Sequence, residues 1–308
     1  MERNHSQLRG ASLLTLTALI WGVAFVAQSV GMDYLGPCAF NGVRNFIGGV
    51  ALLPVIAFAS RLRKAPPTGE EETSPALNRK RTLLWGAVCG LLLGSASLLQ
   101  QAGMQTASAG KAGFLTALYI VIVPVLGMVL GRRPGLKVWA GVVLALCGAY
   151  LLSVKGGEGI ALGDLLVICS ALVFSLHIVV IDFVPPQVDG VKLSCVQFFV
   201  AGALSMALAL GLESFTLSDI LSAWVPLLYT GVISSGVGYT LQILGQRTVN
   251  PTVASLIMSL ESVFAALAGW VLLQQPLSPR EIMGCALVFL AVVLAQLPQR
   301  RPGVENRK

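Results

Sequence analysis

Apolar residues gather into ten runs along the chain, at 11–31, 37–59, 83–105, 109–131, 137–154, 161–183, 192–212, 222–246, 250–273 and 279–297. A helix needs about 20 apolar residues to cross the hydrocarbon core of a bilayer, so each run predicts a membrane span. Glycines lie inside the runs and no period-two alternation is present, which argues for helices rather than a β-barrel. Between them, only the interval 61–82 is long and polar. It carries Pro66-Pro67, Glu70-Glu71-Glu72 and Arg79-Lys80-Arg81, and predicts a solvated linker. The basic segment 298–308 predicts a disordered tail. Arg3 and Arg9 precede the first run as in a signal peptide. The stretch from Gly10 to Met32 is too long for that reading and lacks a small-x-small cleavage site, so residues 1–10 read as a tail before a retained span.

The polar positions repeat. Gln100 to Pro134 aligns without a gap on Gln242 to Pro276, 142 residues later: Gln100 meets Gln242, Gly103 meets Gly245, Thr106 meets Thr248, Ala112 meets Ala254, Gly127 meets Gly269 and Pro134 meets Pro276. Earlier in the chain the offset is 153, which places Ala18-Leu19 on Ala171-Leu172, Trp21 on Phe174, Phe46 on Phe199 and Gly49 on Gly202. The difference of 11 residues is the extra length of the linker. Spans 1–5 (residues 11–154, with the linker 61–82) therefore correspond to spans 6–10 (residues 161–297). Five is odd, so the second copy must enter from the opposite side. The expected architecture is an all-α integral membrane protein of ten transmembrane helices in two inverted five-helix repeats.

Composition agrees with a membrane protein: 55% of residues are hydrophobic and 11% charged, where a soluble domain averages roughly 25% charged. The net charge of +7 does not point to nucleic acid, because the basic residues sit in the short segments between apolar runs. With the N-terminus inside, 17 of the 21 Lys and Arg fall in inner segments, three (Lys111, Lys155, Arg280) in outer ones, and Arg44 within the second span. Both termini are therefore expected in the cytoplasm. The six cysteines lie in separate runs without a CxxC and read as small buried hydrophobes.

Polar side chains in mid-membrane cost at least ~2.5–3.5 kcal/mol if charged, so each needs a reason. Glu261 falls on the repeat position of Tyr119, and both are expected to face the cleft between the halves. Glu261 reads as a proton-exchanging carboxylate or a partner for a substrate amine, or else as a protonated Glu bonded to a neighbouring helix. Arg44 shares a helix face with Asn41, Asn45 and Gly48. It reads as a clamp for a carboxylate or phosphate, or as an Arg snorkelling to the outer interface or binding helix-end carbonyls. Span 8 carries Ser235, Tyr239, Gln242 and Gln246 on one face, and span 3 offers Ser97, Gln100 and Gln101. Such stripes line a wet cavity or join helices. Trp21 and Gln28 share a face of span 1 and could form a further wall, although a Trp there is also a packing or interface residue. His177 reads as a core histidine or a proton relay. Asp182 and Arg247 are both expected near the cytoplasmic face, where a gate pair is conceivable. No Walker A, HExxH or GxSxG pattern is present, so no metal, cofactor or hydrolytic centre is expected.

Trp21-Gly22, Arg44-Asn45-Phe46 and Gln101 to Pro124 (QAGMQTASAGKAGFLTALYIVIVP) resemble the drug/metabolite transporter superfamily, specifically its ten-span EamA-type members, over about residues 11–297. The resemblance implies a bacterial inner-membrane carrier with a central cavity between spans 1–4 and 6–9, and with spans 5 and 10 as outer supports. The sequence departs from the family where a Gly-Glu pair often ends spans 4 and 9, since Arg132 and Gln274 stand at the Glu positions, and Ser262 replaces a frequent Pro.

The resulting expectation is a secondary transporter, not an enzyme, that moves a small polar or zwitterionic metabolite such as an amino acid by alternating access, with export favoured over import. Trp21, Gln28, Arg44, Asn45, Gln100, Gln101, Tyr119, Tyr239, Gln242 and Glu261 are the candidate cavity residues, with Glu261 and His177 as candidates for proton coupling. The expected partners are the substrate and membrane lipids, and the Gly-rich spans could support a homodimer. A receptor or scaffold without transport and a membrane enzyme acting on lipid-linked substrates are the alternatives.

Overall fold

The structure is a computed structural model that describes residues 2–62, 75–107, 109–153, 161–274 and 276–296. Helix occupies all ten apolar runs, and no strand occurs among the described residues. In chain order the helices are α1 (Glu2–Gly31), α2 (Pro37–Leu62), α3 (Pro75–Gly103), α4 (Ala109–Thr116), α5 (Tyr119–Val129), α6 (Leu136–Ser153), α7 (Leu162–Phe183), α8 (Gly190–Leu212), α9 (Leu217–Ser222), α10 (Trp224–Leu228), α11 (Thr240–Gln246), α12 (Pro251–Met258), α13 (Leu260–Leu273) and α14 (Pro279–Gln296). A π-helical segment, Tyr229–Tyr239, joins α10 to α11.

Local chemistry sets several of these starts. Pro37, Pro75, Pro251 and Pro279 each open a helix, where a missing N–H costs nothing. Asn250 accepts from Thr252 N at the start of α12, and Asp189 accepts from Val191 N and Lys192 N at the start of α8. The expected linker is shorter than 61–82. Residues 75–82 form the first turns of α3, because Ala, Leu, Lys and Arg behind a leading proline are good helix formers. Residues 63–74 and the basic tail 298–308 lie outside the described residues.

Among the described residues, eight stretches are long and apolar enough to cross a membrane, including Ala112–Val129 through the α4–α5 break and Trp224–Gln246 through the π segment. Leu136–Leu152 in α6 is apolar but shorter. Large apolar side chains such as Val129, Leu136, Leu210 and Leu212 are exposed, which suits a surface facing lipid rather than water.

The contacts between helices recur at the sequence offsets. Gly103 of α3 lies against Gly163 and Val167 of α7, and Gly245 of α11 lies against Gly10 and Leu14 of α1. Each member of the second set is displaced from one of the first by 142 or 153 residues. At the crossing of α2 and α8 the contacts are reciprocal. Gly49 faces Phe199, Gly202 faces Phe46, and the two rings stand 6.3 Å apart. A pair of contacts in which i meets j′ and j meets i′ is what a two-fold axis produces.

One exception locates an insertion. Gly90 abuts Gln197 O and Val200, while Gly231 abuts Arg44 O and Ile47. Gly231 follows Gly90 by 141 residues, yet Gln242 follows Gln100 by 142. The extra residue lies between Gly231 and Gln242, within the π segment, whose wider turn absorbs it. The widened backbone also leaves carbonyls for α1, since Gly238 O accepts from Thr17 Oγ1 at 3.2 Å and Ser234 O from Trp21 Nε1 at 3.3 Å.

Helix α6 packs on α14 with the tightest backbone approach at Gly148 and Gly284. A Cβ on Gly284 would sit 2.6 Å from Gly148 O, closer than any relaxed contact. Gly284→Ala should force these helices apart and cost about 1–3 kcal/mol, as overpacking does. A lower melting temperature in detergent checks it, with Gly113→Ala, where nothing lies within 4 Å, as the silent control.

Candidate functional site

A cavity lies within the bundle, lined by residues from both halves of the chain. Helix α1 contributes Trp21, Ala24, Phe25 and Gln28, at the i, i+3, i+4, i+7 spacing of one helix face. Helix α2 contributes Arg44, α3 Gln100, and the α4–α5 junction Thr116 and Tyr119. On the opposite side stand Phe174, His177 and Ile178 of α7, Ser234 and Tyr239 of the π segment, Gln242 of α11 and Glu261 of α13.

Two helix breaks face this space. The chain leaves α4 at Ala117–Leu118 and enters α5 at Tyr119, and it leaves α12 at Ser259 and enters α13 at Leu260. Ala117 and Ser259 are 142 residues apart, so the breaks fall at matching places in the two halves. Glu261 sits in the first turn of α13, where the partial positive charge of a helix start favours a carboxylate. Its Oε1 accepts a 2.9 Å hydrogen bond from the Tyr119 hydroxyl, and the pair is itself 142 residues apart. No basic side chain bonds Glu261 among the described contacts.

Arg44 turns into the cavity. It is 5% exposed, so it does not snorkel to the interface. Its Nε donates to Asn41 Oδ1 at 2.7 Å and its Nη1 to Gln28 Oε1 at 2.6 Å. Arg carries five N–H donors, so these two bonds leave the outer edge of the fork available, the geometry that suits a carboxylate. The reason for the inward turn is Gln28, on a neighbouring helix at the right depth to receive it.

An aromatic wall connects the two sides. Tyr239 packs against Trp21 with the rings tilted by 50° and 4.6 Å between centroids, and it meets His177 and Phe198 edge-on at 6.1 and 5.9 Å. Gln100 Nε2 donates to Thr116 Oγ1 at 2.9 Å, and His177 Nε2 pairs with Gln197 Oε1 at 3.2 Å.

Two of the expected cavity residues lie elsewhere. Asn45 is buried beside the cavity with its Nδ2 donating to Asn41 O, one turn back on its own helix. Gln101 is fully buried off the cavity, because residues adjacent on a helix point about 100° apart and Gln100 takes the inward position. Ser97 and Ser235 are buried off the cavity too, the latter against Gly48 of α2, and Gln246 Nε2 donates to Ile178 O. Sequence reasoning missed Thr116, Ser234, Phe174 and Gln197. Phe174 and Gln197 were legible as the offset-153 partners of Trp21 and Arg44.

At the end of the bundle formed by the C-termini of α5 and α7, Arg132 and Asp182 form an ion pair. Arg247 donates instead to Val188 O, so Asp182 pairs with Arg132 and not with Arg247. Arg132 and Asp182 are 33% and 24% exposed, so the pair is worth at most about 1 kcal/mol. Asp182→Arg should therefore leave the melting temperature nearly unchanged but speed labelling of a cysteine placed at Ile178. The double change Arg132→Asp/Asp182→Arg should restore slow labelling.

The EamA-like transporter family model matches the chain twice, over residues 8–154 and 161–297. An uncharacterized transporter of Archaeoglobus fulgidus is 30% identical over 92% of this chain and 84% of its own length. The uncharacterized inner membrane transporter YedA of Escherichia coli is 25% identical over 91% of this chain and 88% of its own. The uncharacterized transporter YoaV of Bacillus subtilis is 23% identical over 90% and 92%. A solved crystal structure shares the fold at a TM-score of 0.73, with 19% identity, over 93% of this chain and 96% of that one. With matches that run nearly end to end and apolar helices to suit them, this chain is a multi-pass membrane protein and belongs to the EamA-like transporter family, of the drug/metabolite transporter type.

Proposed function

We propose that the protein is a secondary transporter that moves a small polar or zwitterionic metabolite across a bacterial inner membrane by alternating access, in the direction of export. The observation that carries this reading is the cavity itself. It sets an Arg44 fork with spare donors and a Glu261 carboxyl, whose one partner among the described residues is Tyr119, inside a shell of apolar helices. A substrate carboxylate would sit on Arg44, an amine or a proton on Glu261, and the apolar part against Trp21, Tyr119 and Tyr239. The inner-membrane location rests on the similarity to the inner membrane transporter YedA, and the direction rests on the family resemblance.

Alternating access requires two halves that exchange roles. The matched contacts of Gly103 and Gly245, the reciprocal Phe46–Phe199 crossing and the two family matches support a pair of inverted copies of five helices each, and the distribution of Lys and Arg supports both termini on the cytoplasmic side. The Tyr119–Glu261 bond supports a further point. Residues related by a two-fold axis touch each other only beside that axis, so this pair marks it, and the cavity straddles the axis.

A thermal-shift screen of the purified protein against a metabolite library, followed by counterflow in proteoliposomes, tests the reading. Amino acids and related zwitterions should raise the melting temperature, since a ligand that binds only the folded form stabilises it, and the hits should exchange across the membrane. Hits confined to apolar or cationic compounds, or binding with no flux, would contradict it.

A further inference from the structure

The cavity has a second polar corner that the assignments above do not use. It is lined by His177 of α7 and Gln242 of α11, and Gln197 and Ser194 of α8 and Gln246 of α11 are buried outside the lining, all five at most 3% exposed. Five side-chain atoms there have no hydrogen-bond partner: His177 Nδ1, Gln197 Nε2, Ser194 Oγ, Gln242 Oε1 and Gln246 Oε1. A buried polar atom left unpaired costs about 1–3 kcal/mol, so such a cluster at a cavity wall is a place where a ligand gains by binding. His177 and Gln242 line the cavity directly, and Gln197 stands one hydrogen bond behind His177.

The offsets identify what this corner is. Gln197 falls on Arg44, Ser194 on Asn41 and Gln242 on Gln100. It is the counterpart, in the second half, of the corner that holds the Arg44 fork, with the charge removed. Its chemistry is neutral, for no Arg, Lys, Asp or Glu bonds to these five side chains in any described contact. His177 Nε2 faces the carbonyl oxygen of Gln197 and so acts as donor, which leaves Nδ1 as an acceptor. The corner thus offers the cavity acceptors on His177 and Gln242 and a donor in the Gln242 amide, the complement of a group that both donates and accepts. Tyr239 lines the same cavity, its ring edge-on to His177.

We propose that the cavity is a two-station site in which Arg44 takes a carboxylate and the His177–Gln242 corner takes an uncharged hydroxyl or carboxamide at the other end of the same molecule. This rests on the proposed role of Arg44 and narrows the substrate class to polar monoanions with a neutral donor–acceptor terminus. A second carboxylate is disfavoured at the neutral corner, where nothing offsets its desolvation.

The test uses the purified full chain in nanodiscs, heated with valerate, its terminal hydroxy derivative, glutaramate and glutarate. The hydroxy and amide forms should raise the melting temperature more than valerate does, and glutarate less than glutaramate. Gln242→Met and, separately, His177→Leu should erase the difference between glutaramate and valerate while keeping the valerate shift. The two changes lie on different helices, so one misfolded variant leaves the other to decide. Arg44→Gln should erase every shift. Equal shifts from valerate and glutaramate in the wild type would overturn the second station. Survival of the difference in both variants would also overturn it, by showing that the corner holds only water. Shifts that persist in Arg44→Gln would instead remove the Arg44 reading on which the proposal stands.

Discussion

Glu261→Gln will abolish flux driven by a pH gradient in proteoliposomes, down to the level of protein-free liposomes, while protein yield stays intact. The substitution keeps the shape of the side chain and an oxygen to accept from the Tyr119 hydroxyl, so the local packing survives. What it removes is the ability to carry a negative charge. A carboxyl placed in mid-membrane costs at least ~2.5–3.5 kcal/mol when ionised, and Glu261 has a hydroxyl partner but no cation bonded to it to offset that cost. Exchange of a proton on Glu261 against a substrate amine or water would link the gradient to the cavity that it lines. Flux that responds to pH equally in wild type and variant would rule out a coupling role for this residue, and His177 would become the remaining candidate.

Arg44→Gln should weaken carboxylate binding by roughly 100-fold, since a bidentate charge-assisted contact is worth about 3 kcal/mol beyond a neutral one. Arg44→Lys separates charge from shape. It keeps the cation but loses the planar fork and the bond from Nε to Asn41, and about tenfold weaker binding is expected from the loss of one such hydrogen bond, near 1.5 kcal/mol. Isothermal titration with a hit from the metabolite screen measures both. Equal affinity in wild type and Arg44→Gln would return Arg44 to a structural role, holding α1 and α2 together through Gln28.

Much of this was legible in the sequence because membrane helices are written in simple terms. Each apolar run falls on helix, although the runs do not mark the short α9 or the breaks between α4 and α5 and between α12 and α13, and the pair Gly103 and Gly245 makes corresponding contacts. The failures have specific causes. Arg44 had two destinations, and only the depth of Gln28 on a neighbouring helix decides between them. Gln101 was grouped with Gln100 by composition, although adjacent helical positions face different ways. Gln197 was passed over because a lone glutamine in an apolar run carries no signal until it is laid on its partner, Arg44. The π segment shifts the register of span 8, since a 3.6-residue period puts Ser235 on the face of Tyr239 and Gln242, whereas the wider turn places Ser234 at the cavity. Residues 75–82 looked like linker from their charge, yet a cationic turn can extend a helix beyond the bilayer.

The central claim, a cavity reached in turn from both faces of the membrane, is tested most directly by a single cysteine at Ser234 in a background with all six native cysteines replaced. A membrane-impermeant thiol reagent would be applied to right-side-out and to inverted vesicles in parallel, with and without a hit from the screen. Alternating access predicts labelling from both faces, slowed by the ligand in each. Labelling from one face alone, under every ligand condition, would contradict it.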